Sequence, residues 1–274
     1  MEDKLPASIA AAWGRQAPRG RGPKPGLSLE RIVGAGVRVA ATEGLGAVSM
    51  SRVAAELGAS TMALYRYVNA KDELLALMVD AAFGPPPGAA DEPGRRAIDA
   101  ASGTPGEVAE PGRRAIDAAP GAAGEPGWRA GLARWAWGHH AVLRRHPWIV
   151  RIPIGAPPIT PNLTAWMEDG LRALGQTELA EEDKLSVMLL LSGFVRNEAT
   201  VAADISATAQ PEIMVPWGAL LAELTDDARF PALRAALAST AFSQDDDPDD
   251  EFAFGLERIL DGIGVLVEKP RPRR

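Results

Sequence analysis

Apolar residues recur at helical spacing along most of the chain, and glycines, prolines and capping residues interrupt the pattern. From Ser28, whose hydroxyl can cap a helix, apolar positions repeat every three or four residues as far as Glu43. A second short segment ends at Gly58, and a third starts after Ser60 with Leu64 on its inner side. Two short helices joined by a glycine turn are the layout of a helix-turn-helix.

The periodicity continues into a connecting helix and a larger helical body. Asn69 or Ala70 can cap a helix that starts at Lys71, and apolar positions step by four and three residues from Trp128 to His146. The expected fold class is all-α, with an N-terminal three-helix helix-turn-helix domain followed by a helical bundle. Further apolar helices are predicted at residues 163–174, 184–204, 217–224, 231–239 and 251–267.

Two segments have compositions that predict disorder. Residues 1–27 are rich in proline and basic side chains and are expected to form a mobile basic arm. Residues 84–127 contain eight prolines and nine glycines and are expected to be a linker. Within this linker, the ten residues from Glu92 to Ala101 recur letter for letter at Glu110 to Ala119. The remaining predicted parts are a DNA-binding domain with its connecting helix at 28–83, a regulatory domain at 128–268 and a tail at 269–274.

Charge is distributed unevenly along the chain. The net charge is −7, yet the segment from Arg15 to Lys71 carries nine basic and three acidic residues. That segment therefore has a charge of +6 and the rest of the chain −13. A basic N-terminal part joined to an acidic body suits a protein that touches DNA with one end.

Several classes of protein are excluded or disfavoured by what the sequence lacks. It contains no cysteine, which removes disulfides and thiol catalysis. It has no apolar run of the roughly 18 to 20 residues that a membrane helix needs and no signal-like N-terminus, so a cytoplasmic protein is expected. There is no phosphate loop, no Gly-x-Ser-x-Gly elbow and no metal-ligand spacing among the three histidines. We therefore expect neither an enzyme nor a bound metal or cofactor.

The run from Leu29 to Phe83 resembles the N-terminal domain of the TetR family of repressors, and it carries the pattern Leu-Gly-x-Ser-x-x-x-Leu-Tyr-Arg-Tyr-Val-x-x-Lys-Asp-Glu-Leu-Leu. Trp128 to Ile154 and Trp217 to Val267 resemble the regulatory domain of the tetracycline-repressor branch. The resemblance implies a homodimeric DNA-binding regulator, with a palindromic operator and a small-molecule effector as partners. The alternative is a dimeric ligand-binding or scaffold protein with weak or lost DNA binding.

The resemblance also implies which residues face DNA. It places base contacts on the recognition helix and on the helix before it, and it places phosphate contacts at hydroxyl and ammonium groups just beyond. Arg52 is either a phosphate contact or a solvated residue, and a core role for Tyr67 is equally open. In the arm, Arg19-Gly20-Arg21 looks like the core of an AT-hook, with a solvated tail as the alternative. The predicted DNA-binding residues are Ser49, Ser51, Arg52, Thr61, Met62, Ala63, Tyr65, Tyr67 and Lys71.

For the regulatory domain, seven tryptophans suggest an aromatic-lined cavity, although core packing is the alternative for each of them. Tetracycline is not the expected ligand, because the histidines that the family uses with magnesium fall here on Gly193 and in the proline-rich stretch after Phe83. The predicted ligand-binding residues are Trp135, His139, Trp148, Trp166, Met188, Asn197 and Trp217. The resemblance implies a four-helix dimer interface, with Leu185, Leu189, Phe252, Leu256, Ile259, Ile263 and Leu266 as its predicted residues.

Overall fold

The computed structural model describes residues 5–14, 26–87, 127–155, 158–208, 217–239 and 248–269, and all regular secondary structure in them is helical. This confirms the predicted all-α class. Short 3-10 helices cover Leu45–Ala47 and Pro147–Arg151. The α-helices are α1 (Ala7–Ala12), α2 (Leu29–Glu43), α3 (Met50–Glu56), α4 (Thr61–Leu64), α5 (Lys71–Phe83), α6 (Trp128–Arg145), α7 (Pro161–Leu174), α8 (Glu181–Thr208), α9 (Trp217–Leu224), α10 (Pro231–Leu237) and α11 (Pro248–Glu268).

Serine caps start the three helices of the N-terminal reader, the unit formed by α2, α3 and α4. The hydroxyl of Ser28 accepts a hydrogen bond from the third residue of α2, and Ser49 and Ser60 do the same for α3 and α4. Each cap satisfies a backbone N–H group that the first turn leaves without a helical partner. Gly58 has a φ of +62°, a left-handed conformation that allows the tight turn between α3 and α4.

The core of the reader holds a recognition helix of only one turn. Val53 of α3, Leu64 of α4 and Val68 beyond it have no exposed surface, and α2 packs against both α3 and α5. A four-residue helix has almost no stability of its own, so this packing fixes its position. The predicted inward position of Leu64 is confirmed.

The regulatory body is built around α6, α7 and α8, with α11 packed against α6 and α8. At the contact of α6 with α7, a Cβ atom added at Gly131 would lie 2.6 Å from the Cβ atom of Ala173. The indole N–H of Trp135 donates to the carbonyl of Trp166 at 2.8 Å and ties the same two helices together. Arg196 of α8 donates to two carbonyls at the end of the 3-10 helix Pro147–Arg151.

Helix α5 joins the reader to the body. It packs against α2 of the reader and against α7 and α6 of the body. Asp80 of α5 is buried, and its carboxylate accepts from the side chain of Asn162 and the backbone N–H of Leu163, both at 3.0 Å. Burial raises the pKa of Asp80, and these hydrogen bonds partly offset the rise. The carboxylate lies at the N-terminus of α7, where the helix dipole favours a negative charge.

The N-terminal segment departs from the predicted mobile arm. Residues 7–12 form α1, which packs against α5, and Ile9 retains only 2% of its surface. The apolar and small residues around Ile9 form a short face that this contact buries. Residues 15–25, with the AT-hook-like sequence, lie outside the described residues, as do both copies of the linker repeat and the end of the tail.

Gly131→Ala tests the close approach of α6 and α7. Alanine is favoured over glycine in a helix by about 1 kcal/mol, whereas a clash in a packed core costs about 1 to 3 kcal/mol. We expect the free energy of unfolding to fall by about 1 kcal/mol, measured by denaturant titration at fixed protein concentration.

Gly34→Ala is the matched control, because the nearest atom to the new methyl group is the end of the Arg38 side chain at 3.7 Å. This variant should be at least as stable as the parent protein. Equal stability of the two variants would contradict the proposed clash.

Candidate DNA interface and ligand site

The recognition helix presents its first three side chains outwards. Met62 is 75% exposed, Thr61 and Ala63 are partly exposed, and Leu64 behind them is fully buried. Ser51 lies exposed on the neighbouring α3. These positions form a small protruding surface of hydroxyl and methyl groups, which are groups that contact base edges in a major groove.

The two tyrosines after the recognition helix have different environments. Tyr65 is 43% exposed, whereas Tyr67 is half-buried and donates its hydroxyl to the carbonyl of Leu27 at 3.0 Å. Tyr67 therefore ties the start of α2 to the end of the recognition segment. The structure favours the core role for Tyr67 over the phosphate contact.

Ser49 and Arg52 from the predicted DNA-binding set also have structural tasks. Ser49 caps α3, and its hydroxyl lies 3.1 Å from that of Ser51. Arg52 donates to both carboxylate oxygens of Glu43 at 3.0 and 3.1 Å and to Glu56 at 3.1 Å. The Arg52 guanidinium lowers the pKa of Glu43 by hydrogen bonding. Arg52 thus joins α2 to α3, and its charge is balanced within the reader.

Two other cations are better placed for phosphates. Lys71 is exposed at the first position of α5, and Arg66 is exposed between the two tyrosines. Among the described residues, neither of them forms an ion pair. Sequence reasoning missed Arg66, although its place inside the Tyr-Arg-Tyr motif was a usable signal.

Four of the predicted ligand-binding residues lie together at the junction of body and reader. The rings of Trp135 and His139 stack with centroids 3.8 Å apart, and Trp166 meets His139 edge-on at 4.5 Å. Met188 is buried against Gly170, which also faces the Trp135 indole nitrogen.

Phe83, the last residue of α5, completes this aromatic cluster and was not predicted. Its ring lies 4.8 Å from His139 and 6.0 Å from Trp166. The next carbonyl, of Gly84, accepts from the Trp166 indole at 2.9 Å. Burial lowers the pKa of His139 to about 3, so its imidazole is neutral at physiological pH and offers one donor and one acceptor.

The other three predicted ligand-binding residues lie elsewhere. Asn197 is exposed on the outer face of α8, which contradicts its assignment to an internal cavity. Trp148 is buried in the 3-10 helix, 6.0 Å from the ring of His146, and has no ring contact with the cluster in the described structure. Trp217 is the first residue of α9, and its side chain is outside the described part.

Seven buried polar atoms of the body make no hydrogen bond with any described residue. They are Nδ1 of His139, both ring nitrogens of His140, Nδ1 of His146, the indole nitrogen of Trp148 and the hydroxyls of Thr160 and Thr164. Burial is the main cause that lowers the pKa of His146. Buried polar groups without partners are the atoms that a polar ligand group can satisfy.

The predicted dimer interface needs correction on α11. Phe252, Leu256 and Ile263 retain 3% or less of their surface within a single chain, because this side of α11 packs against α6 and α8. The apolar residues on the opposite side are Phe254 and Val265, which are 63% and 61% exposed. The regular spacing predicted a buried stripe correctly, but it could not tell a stripe facing the chain's own core from one facing a partner.

The prediction for α8 fits the structure better. Leu185 and Leu189 are 51% and 76% exposed, and Ile259 and Leu266 of α11 are half-buried. Between the two helices runs an open groove, which is lined by Ser186, Leu189, Leu190, Gly193, Phe194, Asn197 and Ile259.

By length and composition alone, Glu181–Ala207 would pass as a membrane-crossing helix, with a mean hydropathy of 1.2. The packing of this helix within the protein also accounts for its high hydropathy. One face of α8 packs against α6, α7 and α11, and the other carries the exposed leucines. The helix is therefore apolar on two sides, one that packs in the core and one that no described element covers.

The chain is similar to known regulators over nearly its whole length. The profile for bacterial regulatory proteins of the tetR family matches residues 32–78, and that for the tetracyclin repressor-like C-terminal domain matches residues 119–267. The HTH-type transcriptional repressor DrrR1 of Streptomyces coeruleorubidus is 36% identical over 272 residues, which cover 96% of this chain and 87% of that protein.

Solved structures give the same result. ActR of Streptomyces coelicolor in complex with actinorhodin has a TM-score of 0.68 and 26% identity, covering 91% of this chain and 100% of ActR. Its complex with (S)-DNPA has a TM-score of 0.63 and 25% identity, covering 87% and 98%. With a matching reader, regulatory domain and full-length relative, the chain belongs to the TetR family of bacterial transcriptional regulators.

Proposed function

We propose that the protein is a homodimeric repressor that binds a palindromic operator and is released from it by a small-molecule effector. The observation that carries the proposal is the protruding surface of Thr61, Met62 and Ala63, held in place by the buried Leu64. Its relative DrrR1 is a repressor, which supports repression over activation. The proposal includes no catalytic step, and it places the protein with its DNA in the cytoplasm.

The aromatic cluster favours a flat, largely apolar effector. Stacked and edge-on rings around His139 match the faces and edges of an aromatic ligand, and a neutral imidazole can bond a ligand hydroxyl or carbonyl. ActR, whose structure resembles this one, forms complexes with actinorhodin and (S)-DNPA. Effectors of related chemistry are therefore proposed here.

We place the dimer interface on the outer faces of α8 and α11. Exposed Leu189, Leu190, Phe254 and Val265 lie on these faces, and an apolar patch of this kind marks a contact surface. Two copies of α8 and α11 would form a four-helix contact. In such a dimer the two recognition helices must enter successive major grooves about 34 Å apart. An effector that binds a different spacing more tightly reduces operator affinity by its preference for that state.

One observation favours the alternative of a ligand-binding protein with weak DNA binding. The base-reading positions carry no long polar side chain, and Arg52 is already balanced by Glu43 and Glu56. Sequencing of genomic fragments bound by the purified protein separates the two. A palindrome with half-sites one helical turn apart supports the repressor, and sequence-blind binding that salt abolishes supports the alternative.

Lys71→Ala and Arg52→Ala remove the same charge from different environments. With Lys71→Ala, the slope of log affinity against log salt should fall by about one unit for every operator sequence, because a phosphate contact is lost. With Arg52→Ala the slope should not change, because the guanidinium is engaged by Glu43 and Glu56. Fluorescence anisotropy at several salt concentrations measures both slopes, and a larger fall for Arg52→Ala would refute the assignment.

Leu189→Glu places a charge at the centre of the proposed dimer face. Burial of an unpaired carboxylate costs several kcal/mol, so dimerisation and operator binding should both be lost. Sedimentation should then report a mass near that of the 28.9 kDa chain, with helical content retained. Ile154→Glu, which changes a residue that is 74% exposed outside α8 and α11, should remain dimeric. A dimeric Leu189→Glu variant would disprove this interface.

His139→Leu tests the effector site, with actinorhodin as the probe. Loss of the imidazole should raise the concentration needed for half-release of operator about tenfold, since a ligand polar group loses its partner. Operator affinity without the probe should not change. The control is His140→Leu, the same substitution on the adjacent residue, whose ring stacks on Phe252 at 4.0 Å. An equal response of both variants, or no release of the parent protein, would argue against this effector site or class.

A further inference from the structure

The short helix α1 lies outside the segment that matches the DNA-binding profile, which begins at residue 32. It nevertheless has a defined place against α5. Ile9 is 2% exposed and Ser8 is 1% exposed, so the contact removes both side chains from water. The segment that includes α1 and Trp13 touches the reader side with one end and the regulatory body with the other.

At the reader end, Ser8 binds a carboxylate that also shapes the exit from the recognition segment. The hydroxyl of Ser8 donates to Oε2 of Glu73 at 2.7 Å, and the backbone N–H of Asn69 donates to the same oxygen at 3.1 Å. Asn69 lies in the turn that leads from the recognition segment into α5. A shift of α1 therefore acts directly on the residue that holds this turn.

At the body end, Trp13 reaches the start of α7. Its indole N–H donates to the carbonyl of Ile159 at 2.8 Å, two residues before α7 begins. A few residues further on, Asn162 and Leu163 donate to Asp80 of α5. The start of α7 is therefore held from the reader side by two separate links, Asp80 and Trp13.

Helix α7 also contributes one ring to the aromatic cluster. Trp166 lies in the second turn of α7, and its edge meets the His139 ring that stacks on Trp135. The rings of His139 on α6 and Trp166 on α7 are already in contact, with centroids 4.5 Å apart, so a ligand ring that enters between them moves α7 relative to α6. Movement of α7 pulls on Ile159 and on the partners of Asp80.

We propose that α1 and Trp13 form a strap that couples the effector site to the reader, in parallel with Asp80. The proposal rests on the proposed repressor function. The hydrogen bonds at both ends of the strap are present while the aromatic rings are in contact. The strap therefore stabilises the helix arrangement that an entering ligand would disturb. If the ligand releases the operator, the strap with both ends bonded favours the operator-binding arrangement. Loosening the strap should therefore weaken operator binding even without an effector.

The test is Trp13→Phe, which keeps an aromatic ring and removes the indole donor to Ile159. Trp13 is 41% exposed, so the substitution spares the core. Operator affinity, measured by anisotropy on the full-length dimer, should fall about two- to fivefold, which corresponds to the loss of one ordinary hydrogen bond. Ser8→Ala, which removes the link to Glu73 at the other end, should act in the same direction.

Two controls separate the strap from other roles of this segment. Trp137→Phe is the same substitution on α6, at a ring that packs on Phe252, and it should leave operator affinity unchanged. The salt dependence of binding should not change with Trp13→Phe, because no phosphate contact is lost. A slope lowered by about 0.9 would show instead that the substitution displaces one cation of the protein from a DNA phosphate, and it would overturn the strap.

The remaining outcomes are also decisive. If the parent protein binds its operator and Trp13→Phe binds it equally well, the strap is refuted and the repressor function stands. If the parent protein selects no operator, the repressor function fails and the strap fails with it.

Discussion

The arrangement of the whole molecule depends on the buried carboxylate of Asp80. An ionised carboxylate without partners costs several kcal/mol when buried, so this position is tolerated only where donors surround it. Here the donors come from the first turn of α7, whose dipole also favours a negative charge. Because these donors have fixed directions, α5 can meet α7 in one register. That register places Phe83 against the rings of His139 and Trp166.

This junction explains how one helical chain serves two tasks. The one-turn recognition helix is not stable by itself and needs a rigid support. Helices α2 and α5 belong to the packed core that supplies this support. Under the proposed function, the body needs rings that can separate to accept a ligand. The end of α5 belongs to both regions, since its first turn follows the recognition segment and its last residue contacts the aromatic cluster. Helix α5 therefore links the two regions directly, and the proposed strap of α1 and Trp13 acts beside it.

Local signals in the sequence were sufficient for most of the fold. Ser28 and Ser60 were readable as caps, and Gly58 as a turn, because these roles depend on the backbone nearby. Partners distant in the chain were not readable. Nothing near Ile9 in the sequence indicates the surface of α5 that buries it.

The candidate sites show the same division between local and distant information. The outward position of Met62 follows from helical spacing, whereas the engagement of Arg52 by Glu43 depends on how α2 and α3 pack. The two sides of α11 were confused for a related reason. Periodicity reveals that Phe252 and Leu256 share a face, but only the position of α6 and α8 shows that this face is internal.

In the recognition segment, the residues that hold the helix in the core are different from the residues predicted to contact DNA. Leu64 and Val68 are fully buried, while Met62 is 75% exposed and meets mainly solvent in the free chain. Changes at exposed positions of this kind usually alter stability by no more than about 0.5 kcal/mol. Over evolutionary time, the outer side chains can therefore be exchanged to suit a new operator while the helix keeps its place. The set of genes that such a regulator controls can then change without a new fold.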